Sequence, residues 1–73
     1  MSVIKVESEI TGTVWKVEVN PGDQVSEGDI LLILESMKME IPLIAPEDGV
    51  VKEIHINEGD VIQTGDAAVS LEV

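Results

Sequence analysis

Gly12–Asp29 reads GTVWKVEVNPGDQVSEGD, and Gly49–Asp66 reads GVVKEIHINEGDVIQTGD. A shift of 49 − 12 = 37 residues lays one over the other without a gap. Gly12 meets Gly49, Asn20 meets Asn57, Gly22-Asp23 meets Gly59-Asp60, and Gly28-Asp29 meets Gly65-Asp66. Further on, Leu34-Glu35 meets Leu71-Glu72. Turn residues coinciding at one constant offset mark an internal duplication. A solenoid needs about three repeats to be stable. Two copies therefore predict one small fold of similar halves, about residues 12–36 and 49–73, related by a pseudo-twofold axis.

Each half reads as β structure. Trp15, Val17 and Val19 alternate with Lys16 and Glu18, as Ile54 and Ile56 do with Glu53 and His55. NPGD and NEGD are turn chemistry, because Asn and Asp bond nearby backbone and Gly takes positive φ cheaply. Strands are predicted over Val3–Glu7, Val14–Val19, Ile30–Ser36, Met39–Leu43, Val50–Ile56 and Ala67–Val73, with short ones at Gln24-Val25 and Val61-Ile62. Pro42 is tolerated at an edge or a bulge. No amphipathic helix of useful length is present. The expected class is all-β: two packed antiparallel sheets or a flattened barrel, with 1–73 as a single domain.

Composition narrows the function. Four lysines and no arginine against fifteen carboxylates leave a net charge of −11, which repels phosphate backbones and anionic lipid heads. Neither nucleic acid nor a membrane surface is expected as a partner. No apolar run approaches the roughly 20 residues that cross a bilayer. The N-terminal residues already alternate like a strand rather than a signal peptide. The absence of cysteine removes disulfides and thiolate metal sites and suits a reducing compartment, so a cytoplasmic location is expected. The Gly-Asp turns lack the oxygen-rich spacing of a calcium loop, and no metal is expected.

The two halves meet at Glu35-Ser36-Met37-Lys38-Met39-Glu40. Strands ending at Ser36 and starting at Met39 leave Met37-Lys38 as a two-residue hairpin loop. Such loops want positive φ and usually carry Asn-Gly or Asp-Gly. This chain uses Gly and Asn freely at its other turns but not here, and a local rule broken at one turn points to function. Subtracting the offset from 38 gives 1, so the counterpart of Lys38 is Met1, and the tip is expected at the pole away from the chain ends. The plainer alternatives are an edge-blocking lysine, a core role for Met39 by its parity with Ile41 and Leu43, a structural or merely solvated role for Glu35, which Glu72 matches in the other half, and a plain turn role for Ser36. Lys5, Lys16 and Lys52 read as solvent-facing strand residues, and Trp15 as a half-buried cap on the sheet, with a partner contact as the alternative. His55 reads as a surface histidine with no Cys, Ser or second His to work with. No nucleophile–base pair is evident, so no catalytic residue is expected and Lys38 can react only if another protein activates it.

The MKM hairpin between quasi-repeated β halves, with Ile44-Ala45-Pro46, Gly49 and the Gly-Asp turns, resembles the biotinyl (biotin carboxyl carrier) domain, a relative of the lipoyl domain. The resemblance covers essentially the whole chain. It implies a flattened barrel of two four-stranded sheets with biotin in amide linkage to Lys38. A biotin protein ligase would attach it, using ATP by way of biotinyl-adenylate. A biotin carboxylase and a carboxyltransferase would use it in turn, the chain being a non-catalytic carrier subunit acting in trans. Glu35, Ser36, Met37, Met39 and Glu40 are the candidates for recognition by ligase and partners. Ser36 stands where the commonest biotinyl motif has Ala, and Ser near the lysine is a lipoyl trait. A lipoyl carrier for a 2-oxoacid dehydrogenase-type system, or an acceptor of both groups, is therefore the alternative. An unmodified β-barrel interaction module is the reading from a different class.

Overall fold

The structure, a computed structural model, describes residues 2–73. Eight strands follow in order: β1 (Val3–Glu7), β2 (Gly12–Val17), β3 (Gln24–Val25), β4 (Ile30–Ser36), β5 (Met39–Ile44), β6 (Gly49–Ile54), β7 (Val61–Ile62) and β8 (Ala67–Glu72). They form two four-stranded sheets, β1-β8-β6-β3 and β5-β4-β2-β7, in which every pairing is antiparallel. Each half thus gives strands to both sheets, which interlocks the copies. The predicted class and strand number are those observed.

β2 starts and ends two residues earlier than predicted, whereas β6 starts one residue earlier and ends two earlier. Gly12 opens β2 by pairing with Ile62 and Gly49 opens β6 by pairing with Val25. A Cβ on Gly12 would stand 2.8 Å from the Glu35 carbonyl oxygen, and one on Gly49 2.7 Å from that of Glu72. Only glycine lets these strands approach so closely. At the other end, Glu18 and His55 each donate one more backbone bond, to Leu31 and Ala68, after the ladder has ended.

The twofold relation is visible bond by bond. Val14 N–H donates to the Asp60 carbonyl as Val51 N–H does to that of Asp23, and Gly28 N–H to Ala45 as Gly65 N–H to Ser8. The repeated Asp residues act alike: the carboxylates of Asp23, Asp29, Asp60 and Asp66 accept from the backbone N–H of Asn20, Ser26, Asn57 and Gln63 at 2.8–2.9 Å. These acids close turns, which is why the motif recurs four times.

Alternation places Val14, Leu32, Leu34, Val51, Ile62, Val69 and Leu71 between the sheets, each almost without solvent contact. Leu31 is the extra residue of a bulge between β4 and β5 and is fully buried, whereas Trp15, in the bulge between β2 and β4, is half exposed. No helix is long and apolar enough to cross a membrane among the described residues.

Candidate functional site

β4 and β5 pair without interruption from Leu32↔Leu43 to Ser36↔Met39, leaving Met37 and Lys38 as the loop. Their φ values are +53° and +63°, so both occupy the left-handed region. Elsewhere among the described residues positive φ falls only on Gly22, Gly28, Gly59 and Gly65. A left-handed L-residue costs roughly 1–2 kcal/mol, which Asn or Gly would largely remove. The core of the barrel supplies the rigidity that holds the hairpin in this form.

The predicted residues are brought together, with different exposures. Met37 is 92% exposed and Lys38 also faces solvent. Met39 keeps the parity of the inward residues Ile41 and Leu43, yet it is 63% exposed. The core reading of Met39 is thereby excluded, because the barrel ends before it and nothing covers that side chain. Ser36 is partly buried beneath the turn. Glu35 and Glu40 stand directly opposite each other, a like-charge pair that is unfavourable on a sheet surface. The sequence reading missed that opposition, although a two-residue loop implies it. It also missed that Gly12 packs against the Glu35 carbonyl, so that a side chain there would push on the base of the hairpin.

Among the described residues no carboxylate lies within ion-pair distance of Lys38, and it lines none of the three main surface grooves. The amine thus faces solvent at the end of its stem without an ion-pair partner among the described residues. It can accept an acyl group held in another active site, but nothing beside it can take its proton.

The tip also lies far from the chain ends. Ser2 and Val73 exchange both backbone hydrogen bonds, at 3.1 and 2.8 Å. The outer ends of β1 and β5 meet at a groove, where Glu7, Ser8 and Glu9 face Pro42, Ile44 and Pro46. Six steps lead from that groove to Lys38 and five to Ser2. At about 3.3 Å each these come to roughly 36 Å, against a longest dimension of 37 Å. Lys38 and the paired termini therefore occupy opposite poles. The Met1 counterpart of Lys38 lies outside the described residues.

One expectation is corrected. His55 does have a serine to work with: its Nε2 lies 2.7 Å from Ser70 Oγ, and its Nδ1 lies 3.2 Å from Glu53 Oε2. Fifteen residues separate His55 from Ser70, and the pairing of β6 with β8 brings them together. Ser70 is 5% accessible, and β8 is bonded on both sides, by β1 and β6. Its neighbouring N–H groups are spent in the ladders and form no oxyanion hole. The chain of three groups ties strands together. Lys5, Lys16 and Lys52 are exposed as expected, Lys16 lying 3.5 Å from Glu18.

Residues 2–71 match the biotin/lipoyl family described as biotin-requiring enzyme, and the chain belongs to that family. Over 48 residues it is 52% identical to a biotin/lipoyl attachment protein of Bacillus subtilis, a match spanning 66% of each chain. It is 51% identical over 48 residues to a biotinylated protein homologue of Mycobacterium leprae, covering 66% of this chain and 68% of that one. The urea carboxylase of Kluyveromyces lactis superposes on 99% of the chain with a TM-score of 0.92 and 33% identity, but the match is only 6% of that much longer enzyme. Fold, family and exposed tip define a biotin carrier module rather than a catalyst.

Proposed function

We propose that Lys38 is the biotin acceptor, and that the chain carries carboxyl groups between a biotin carboxylase and a carboxyltransferase. The observation behind this is the left-handed Met37-Lys38 turn, the one such turn among the described residues built without glycine. Its strain has a use only if those side chains are needed at the pole.

The chemistry fits the geometry. In the attachment step the Lys38 Nζ lone pair attacks the acyl carbon of an activated biotin held by a ligase. A C–N amide bond forms, the bond from the acyl carbon to the AMP leaving group breaks, and the amine proton passes to the ligase. The free, unpaired amine suits this step. Acylation also removes the lysine charge, leaving Glu35 and Glu40 as the charged groups flanking the tip. Biotin, when bound, supplies the group that holds the carboxyl. The protein supplies a rigid body and a flexible stem, and tethering raises the local concentration of the carried group at each enzyme visited. The partners are proposed to act in trans in the cytoplasm, with residues 1–73 as one domain. The carboxylase role is supported by the urea carboxylase likeness, and Glu35, Ser36, Met37, Met39 and Glu40 are proposed as the recognition residues around Lys38.

A lipoyl role keeps one support, the Bacillus relative named for both groups. Intact mass after incubation with biotin protein ligase and with lipoyl ligase, each with its cofactor and ATP, separates the two. A biotin increment that disappears in Lys38→Arg is expected. A label persisting in that variant, or only a lipoyl increment on the native chain, overturns the assignment.

A further inference from the structure

The 37-residue offset supplies an internal control. Where two positions are symmetry mates the backbone asks the same of both, so a difference in chemistry needs another cause. The outer faces of the two sheets differ in this way. On the sheet bearing Lys38, Ile33 lies between Lys16 and Pro42, facing away from the core. Trp15 fills the adjacent bulge, Ile30 and Ile44 stand opposite each other, and Val61 stands beside Thr13. Trp15, Ile30, Ile44 and Val61 are 50%, 44%, 49% and 70% exposed. The mates of Trp15, Ile30, Ile33, Pro42, Ile44 and Val61 are Lys52, Ala67, Ser70, Lys5, Glu7 and Gln24. One outer face is therefore apolar and its double is polar or small. Only the row nearest the tip runs the other way, with Val3 and Val50 as mates of Glu40 and Thr13.

Resting on the reading of Lys38 as acceptor, we propose that this apolar face docks the enzyme that acylates the Lys38 amine. Continuity is the first argument. β4 and β5 carry both the tip and four of the six apolar residues, and Ile33↔Pro42 lies two pairs behind Glu35↔Glu40. An enzyme acting on Nζ must come within the lysine stem, roughly 6 Å from Cα, and so lies against the hairpin. An enzyme acting on the far end of an attached cofactor can stay clear of it. Charge is the second argument. Two copies of net charge −11 repel, which disfavours self-pairing through this face. A partner with an apolar centre and a basic rim would cover the isoleucines and neutralise the opposed Glu35 and Glu40. Trp15 is the kind of aromatic anchor that dominates such contacts.

The test grafts the polar face onto the apolar one. Trp15→Lys with Ile33→Ser installs the residues found at the mate positions, and Lys52→Ala on the other sheet is the control. Steady-state biotinylation by purified biotin protein ligase is measured against acceptor concentration, with the thermal midpoint confirming the fold. The graft is expected to raise KM for the acceptor about tenfold with little change in kcat, while the control matches the native chain. Val61→Gln, which disturbs no buried contact, is expected to raise KM about threefold and serves if the graft does not fold. An unchanged KM in folded variants overturns the docking face alone. If KM is unchanged but the graft dissociates a native dimer, the occupant is a second copy and the proposal is wrong. If the native chain takes no biotin, the acceptor reading falls, and this inference with it.

Discussion

Two kinds of turn hold this barrel together, and they solve one problem in different ways. The Gly-Asp turns place positive φ on Gly22, Gly28, Gly59 and Gly65 and close with an aspartate bonded to the backbone three residues earlier. The Met37-Lys38 turn places the same conformation on two long side chains. Four turns follow the cheapest local chemistry, and the exception is the one at the pole remote from the termini. The contrast teaches that strain here marks where a side chain is required rather than where the chain was short of alternatives.

Four measurements break or sharpen that contrast. The largest effect is expected at the glycines that permit close strand approach. Gly12→Ala and Gly49→Ala should each cost about 1–3 kcal/mol in denaturant unfolding, because the added methyl meets a backbone carbonyl that cannot step aside. Gly12→Ala should also slow biotin attachment, whereas Gly49→Ala, beside the chain end, should not. Equal slowing by both would show that general loosening is responsible.

A mirrored pair comes next. Gly22→Ala meets no atom within 4 Å, so its cost is that of a left-handed alanine alone, about 1 kcal/mol. Lys38→Gly should stabilise by about 1 kcal/mol while abolishing attachment. In a chain of this size each change shifts the thermal midpoint by roughly 4–8 °C, in opposite directions. A destabilised Lys38→Gly would refute the claim that the tip is strained.

Removing a turn carboxylate is third: Asp29→Ala should cost about 1 kcal/mol through the lost bond to the Ser26 N–H. The smallest effect belongs to the exposed Lys16–Glu18 pair. Lys16→Ala should change stability by less than about 0.5 kcal/mol, and a loss comparable to that of Asp29→Ala would mean that surface charge matters more to this fold than its turns.

The features legible in the sequence are the local ones. Turn chemistry is written in adjacent residues, and strand alternation has period two, so the duplication, the strand number and the place of Lys38 followed from short stretches read in order. The missed starts of β2 and β6 had a signal in Gly12 and Gly49, but what those glycines approach, the Glu35 and Glu72 carbonyls, lies in other strands. The hydrogen bond between His55 and Ser70 had no local signal at all, since it depends on β6 lying beside β8.

The sequence by itself therefore determined a doubled β fold with one unusual hairpin, because backbone preferences and side-chain alternation act over a few residues. Tertiary structure alone decided that Met39 is exposed despite its inward parity and that Ser70 meets His55. It also decided that the apolar residues of the two halves divide unequally between the outer faces. Exposure and long-range contact depend on which strands become neighbours and where the barrel ends, and no single stretch of chain contains that information.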